Sequence, residues 1–202
     1  MTPVSSLLSY ESMLKEFHDK YGQYRREEEP GTIPIVISML RVRLMNEEFG
    51  ELVEALEASD RVAIADAIGD FAYVVLGTLV AYGLVHRETN SRTVQTHDVP
   101  SLLRYFVKEM GKLVAAIHEE NVRQVDEHAH NMWFGLVSLA GALRMPFEAI
   151  FREVHASNMT KTPPEEGEKG KPGGKYQGKK QAKGKTFRPP DLRKVLGLPG
   201  NN

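Results

Sequence analysis

The 202-residue chain predicts an all-α fold, an antiparallel helix bundle followed by an extended basic C-terminal arm, on three observations. Apolar residues recur at helical spacing through most of residues 1–160. The β-branched runs from Thr32 to Ile37 and from Thr93 to Thr96 are too short to compete as strands. Residues 161–202 hold 8 of the 17 glycines and carry 11 basic against 4 acidic side chains, a composition that cannot bury enough apolar surface to fold as a domain of its own. The chain therefore divides into a bundle over 1–160 and an arm over 161–202.

The elements follow in order. Ser5 to Tyr21 is amphipathic, with Leu7, Leu8, Met13, Leu14, Phe17 and Tyr21 on one face, and Gly22 ends it. A charged loop from Arg25 to Glu29 closes at Pro30 and Gly31. A long helix runs from about Pro34 to Ala58, apolar at Ile37, Leu40, Leu44, Met45, Phe49, Leu52, Val53 and Leu56. Ser59 and Asp60 make a turn, and Asp60 is placed to cap the next helix. That helix, Arg61 to Tyr82, is apolar almost all round, the mark of a helix buried on every side. Gly83 fits its C-terminal cap, and His86 to His97 reads as a polar loop. Asp98 and Pro100 open a fourth helix to His118. A fifth spans Val122 to Arg144, and a short sixth runs from Pro146 to Ser157.

Composition sets limits on function. With no cysteine, disulfides, cysteine-based zinc sites and a thiol nucleophile are excluded. No stretch approaches 18 uninterrupted apolar residues, and Met1 to Tyr10 lacks a secretory pattern, so a cytoplasmic protein without a membrane span is expected. The net charge of −1 conceals an acidic body, with 15 basic and 23 acidic residues over 1–160, joined to the basic arm.

The chemistry gathers on two helices. At about 100° per residue, Glu47, Glu48 and Glu51 crowd one quadrant of the second helix, where like charges repel by roughly 0.2 to 0.5 kcal/mol per pair. Taken alone, such a cluster reads as a solvated acidic face. Asp66 and Asp70 change that reading: four residues apart, they share a face of the most apolar helix, where a carboxylate needs a cation or must keep its proton. Arg41, Arg43 or Arg61 offers a structural alternative as the partner. The turn at Ser59 and Asp60 makes the two helices antiparallel and brings both acidic sets level. Carboxylates converging without cysteine or a well-placed histidine form an oxygen-only site suited to Mg²⁺ or Mn²⁺, ions that bind together with substrate phosphates. The residues thus point to a helical, metal-dependent, phosphate-processing enzyme.

The segments Arg43 to Glu51 (RLMNEEFGE) and Asp66 to Tyr73 (DAIGDFAY) resemble the E-E-x-x-E then E-x-x-D signature of the all-α nucleoside triphosphate pyrophosphohydrolases. That superfamily includes MazG-like, phosphoribosyl-ATP pyrophosphohydrolase-like and dimeric dUTPase-like proteins. Glu153 to Lys161 (EVHASNMTK), Lys183 to Leu192 (KGKTFRPPDL) and the Phe17-His18 pair resemble further segments of the phosphoribosyl-ATP pyrophosphohydrolase-like branch. One departure stands out. Ala67 occupies the place of the signature's second-helix glutamate, and the acid has moved to Asp66.

The resemblance implies hydrolysis of a nucleoside triphosphate between its α and β phosphates. On this reading Glu48, Glu51 and Asp70, assisted by Asp66, hold metal, and Glu47 orients or deprotonates the attacking water. Lys161 serves the substrate phosphates, and Asn158 reads the nucleoside or is a surface residue. Arg41 or Arg43, with Arg43 the expected one, reaches phosphate or pairs with Glu47. His18 approaches the base or packs in the core. His97 with Asp98, and His128 with His130, do not have the arrangement of a metal site. Trp133 is expected in the core or at a subunit interface, and a homodimer or larger homo-oligomer is expected. The arm, with Phe187 and Leu192 as anchors, lies over its own body or a partner subunit; nucleic-acid binding through its lysines is the less favoured alternative.

Overall fold

The computed structural model describes residues 5–84, 98–162 and 183–199, with side chains from Tyr10 onward. The expected polar loop at 86–97 and the arm lysines from Lys169 to Lys180 lie outside the described residues. Seven helices and no strand occur among those described: α1 Ser5–Tyr21, α2 Ile35–Ala58, α3 Arg61–Ala81, α4 Val99–His118, α5 Val122–Ala142, α6 Phe147–Asn158 and α7 Leu192–Val195.

The α3 helix is the axis of the molecule. It packs against α1, α2, α5, α6 and α7, and most of its length is buried, as expected of an all-round apolar helix. By length and composition it is apolar enough to cross a membrane, but most of its apolar stretch is buried inside the protein. The second hairpin, α4 with α5, covers one side of this axis, and α6 leaves α5 at a bend of 115° to cross the other. Tyr10, Trp133, Phe147 and Phe151 meet where α1, α5 and α6 join, edge to face in every pair but the tilted Phe147–Phe151, with ring centroids 4.8 to 6.3 Å apart. Trp133 is thus a core residue, 2% exposed.

Local chemistry fixes the turns. Ser59, at φ 54°, ends α2, and its amide donates to the carbonyls of Ala55 and Leu56. The Asp60 carboxylate then accepts from the amides of Val62 at 2.8 Å and Ala63 at 3.2 Å, so α3 starts at once and runs back along α2. Asp98 caps α4 in the same way through the Ser101 amide at 2.8 Å. Expected and observed helix ends agree to within a residue except at α5, which stops at Ala142 and turns through Arg144 at φ 54°. The helix α7 was not foreseen: four residues, capped by Asp191, carry no periodic signal.

The second hairpin satisfies its buried Glu109 from within. Glu109, 3% exposed, accepts hydrogen bonds from His128 and Asn131, each at 2.8 Å, and from Lys112 at 3.0 Å. Burial pushes its carboxyl up, but these three donors together hold it below the usual range.

Candidate active site

A cleft opens along the α2–α3 groove, closed on its other sides by α1, the loop after α1 and the end of α6. Glu48 and Glu51 of α2 and Asp66 and Asp70 of α3 line it. The pairing follows from the turn, since two antiparallel helices that leave Ser59 and Asp60 together stay level for several turns. Gly69 lets α6 come close: a Cβ there would stand 2.6 Å from Val154 Cγ2 and 3.1 Å from Ile150 Cγ2. That contact carries the end of α6 to the rim.

The rim is held from α1. The Tyr21 hydroxyl donates to the carbonyls of Asn158 at 3.0 Å and Lys161 at 2.9 Å, and Lys20 Nζ donates to Met159 O at 2.6 Å. Asn158, 5% exposed, and Lys161 both line the cleft. The described part of the arm docks along the same helix. Ser157 Oγ donates to Arg188 O at 2.8 Å, the Arg188 amide donates to Thr160 Oγ1 at 2.8 Å, and the Asp191 amide donates to Glu153 Oε1 at 2.9 Å. Leu192, the first residue of α7, is buried at 2% exposure, and Lys183, whose Nζ lies 5.1 Å over the Phe187 ring, joins the cleft lining.

Charge is ordered along the cleft. At the end near the α2–α3 turn, desolvation pushes the Asp66 carboxyl above its ordinary range; Lys183 and Lys161 pull it back, and Glu51 adds to the rise. At the other end His18 is 1% exposed and its Nδ1–H donates to Tyr24 O at 3.0 Å. Burial, reinforced by Arg41, drops its pKa well below the usual histidine value, so the ring is neutral and its Nε2 carries a lone pair. Tyr73, beside Asp70 in the lining, reaches His155 Nδ1 at 3.1 Å through its hydroxyl.

Seven of the expected site residues therefore share one cleft: His18, Glu48, Glu51, Asp66, Asp70, Asn158 and Lys161. Glu47 and Arg43 do not. Both are exposed on the outer strip of α2, where Arg43 borders a surface hollow with Ile35, Val36, Met39 and Leu40. The arginine in the cleft is Arg41, whose seven-residue spacing from Glu48 places the two side chains within about 20° of each other around the helix. Gln23 and Lys183 also line the cleft. Neither carries a local signal for it, because a loop and a distant arm bring them there. Four carboxylates and no thiol make a hard oxygen donor set, the kind that suits Mg²⁺ or Mn²⁺. Among the described residues, no three acidic or histidine side chains stand close enough together to hold an ion as they are.

Residues 14–97 match the family model of phosphoribosyl-ATP pyrophosphohydrolase. Proteins of that family belong to the all-α NTP pyrophosphohydrolase superfamily, and the match covers 84 of the 202 residues. The all-helical architecture of the described residues is consistent with the MazG-like fold of that superfamily. The matched segment contains His18, Arg41 and the four cleft carboxylates, whereas Asn158, Lys161 and Lys183 reach the cleft from outside it. The chain is also similar to an uncharacterised protein of Acanthamoeba polyphaga mimivirus, 27% identical over 157 residues. The alignment covers 67% of this chain and 61% of that protein, so the chain spans about three fifths of the length of this relative. No solved structure matches.

Proposed function

We propose that the chain is a metal-dependent nucleotide pyrophosphohydrolase that cleaves a nucleoside triphosphate, or a related nucleotide, between the α and β phosphates. The products are a monophosphate and pyrophosphate. The observation that carries this reading is the gathering of four carboxylates from two antiparallel helices in one cleft with Lys161 and Lys183. Glu48, Glu51, Asp66 and Asp70 would hold Mg²⁺ or Mn²⁺, which supplies neutralisation of the phosphate charge and acidification of a bound water.

The chain's own groups do the rest. Lys161 and Lys183 act as point charges on phosphate oxygens, where a flexible ammonium suits a group whose charge shifts during cleavage. Asn158, held by the tether of its carbonyl to Tyr21, has a donor and an acceptor to offer the nucleoside. The proton of the attacking water passes to a carboxylate that lines the cleft, a role for which Glu47 stands on the wrong strip of α2.

The test is pyrophosphate release with Mg²⁺ or Mn²⁺ from a panel of ribo- and deoxynucleoside triphosphates together with phosphoribosyl-ATP, wild type beside Asp70→Ala. Release by the wild type that Asp70→Ala loses is the expected result. Silence of the wild type across the whole panel in both metals overturns the reading.

A further inference from the structure

His155 joins three elements beside the cleft. It rises from α6, and its ring lies 6.0 Å from that of Tyr73 on α3 at an interplanar angle of 28°. One ring nitrogen, Nδ1, is 3.1 Å from the Tyr73 hydroxyl; the other, Nε2, faces Glu16 Oε2 of α1 at 3.5 Å. Both nitrogens are therefore engaged, one by a phenol and one by a carboxylate. The other charged groups that these helices bring near have partners of their own. Arg152, one turn earlier on α6, bonds Glu148 at 3.0 Å, and Lys20 and Tyr21 of α1 donate to carbonyls at and past the end of α6. On α3, Asp70 stands one turn before Tyr73, and both line the cleft.

The direction of each hydrogen bond follows from the chemistry of the partners. A carboxylate only accepts, so Nε2 of the neutral ring carries the hydrogen and Nδ1 keeps the lone pair. Burial pushes the Tyr73 phenol well above its ordinary range, and Tyr21, Asp70 and Glu16 push it further, so the hydroxyl keeps its proton and donates to Nδ1. Burial also lowers the pKa of His155; Glu16 opposes that and Arg152 adds to it, so the ring is neutral at neutral pH and charges in mildly acid solution. The site left for the incoming proton is Nδ1, the atom that Tyr73 occupies. The side chain is 12% exposed, enough for solvent to deliver that proton. Nδ1–H then becomes the donor and the phenol oxygen the acceptor, and the Tyr73 hydrogen loses its former partner. It must turn to another acceptor. The cleft that Tyr73 lines supplies one, in the Asp70 carboxylate or in an oxygen of a bound phosphate.

We propose that Tyr73 is a switched hydrogen-bond donor of the cleft and that His155, held by Glu16, is the positioning residue that switches it. Neutral His155 takes the hydroxyl hydrogen, and the cleft meets only the lone pairs of the phenol oxygen. Charged His155 turns the hydrogen to the cleft, where a phosphate oxygen accepts it. Phosphate binding therefore tightens on acidification by more than the ligand's own protonation accounts for. The ligand in this statement rests on the nucleotide reading above; the switch itself does not depend on it.

Two measurements on the full chain keep the switch apart from that reading. The first uses no ligand and no metal: the ring ¹⁵N shifts of His155 and the ¹³Cζ shift of Tyr73 are followed from about pH 8 to about pH 5 in wild type and Glu16→Gln. Neutral His155 should show the Nε2–H tautomer, and the Tyr73 signal should move with the His155 midpoint. Glu16→Gln removes the counter-charge from an exposed side chain, so both midpoints should fall together. A neutral Nδ1–H tautomer, or a Tyr73 signal that stays still while His155 titrates, overturns the proposal. The second is the calorimetric affinity for adenosine 5′-(α,β-methylene)triphosphate with Mg²⁺, which cannot be cleaved between α and β, at both ends of that range. Wild type is compared with His155→Asn, which keeps an acceptor near the place of Nδ1 but takes no proton, and with Tyr73→Phe, which keeps the ring and removes the hydrogen. The advantage of wild type over either variant should grow about three- to tenfold from the neutral to the acid end, the scale of one hydrogen bond. An advantage that is the same at both ends overturns the proposal. If wild type binds this triphosphate at neither end, the nucleotide reading suffers and the first measurement decides the switch.

Discussion

Asp66 sits among apolar neighbours at the end of the cleft where two lysines face it, and the balance still leaves its carboxyl above the ordinary value of 3.8. The sign of the consequence is fixed by linkage. Between 3.8 and the raised folded value the native state binds more protons than the unfolded chain, so stability falls as pH rises through that window, and the whole penalty is present at neutral pH. Asp66→Asn should therefore melt higher than wild type at pH 7, and the difference should vanish in melts taken below about pH 3.8. A variant that melts lower at pH 7 would mean that the lysines outweigh burial. The neighbouring acids separate by position. Asp70→Ala should cost about 10² in turnover or more, the scale for losing a group that stabilises charge at the reacting centre. Glu47→Ala, on the outer strip, should stay within about twofold of wild type, as surface changes do. Initial rates of pyrophosphate release compare the two directly.

At the scale of elements, the contact that shapes the rim is α3 against α6 at Gly69, with Val154 and Ile150 opposite. Adding a methyl group there forces the helices apart, and overpacking of this kind costs about 1 to 3 kcal/mol. Gly69→Ala should lower the unfolding free energy by that amount and weaken nucleotide binding, because α6 ends at Asn158 and leads directly to Lys161. Adding Val154→Ala should restore part of both, and a double-mutant cycle that shows no coupling would deny the contact its role. What the sequence revealed follows the same division between local and distant causes. The capping aspartates Asp60 and Asp98, the all-round apolar α3 and the facing of the Glu48 and Asp70 sets were legible, because each depends on spacing within one helix or on the tight turn between two consecutive ones. The choice of Arg41 over Arg43 was within reach of helical phase, since Arg41 lies seven residues before Glu48. Gln23 and Lys183 were out of reach, for a loop and an arm acquire their places from tertiary packing, and the four residues of α7 span barely one turn.

At the scale of the whole molecule, an acidic body and a basic arm meet at the site. The described part of the arm runs along α6 under four anchors, Ser157, Thr160, Glu153 and the burial of Leu192, and it delivers Lys183 beside Asp66. Two effects of the arm are separable. Burying a leucine contributes roughly 1.5 to 3 kcal/mol, so a chain ending at Thr162 should lose stability on that scale, read by chemical denaturation. It should also bind nucleotide more weakly, because the lysine that opposes the cleft acids is gone. Lys183→Ala keeps the anchors and removes only the charge; it should weaken binding with little change in the midpoint, and more so at low salt than at high. Truncation that leaves both readings unchanged would make the arm a bystander to the cleft. Loss of stability with unchanged binding would reduce it to a strap on α6, and Lys183 would then have no part in holding phosphate.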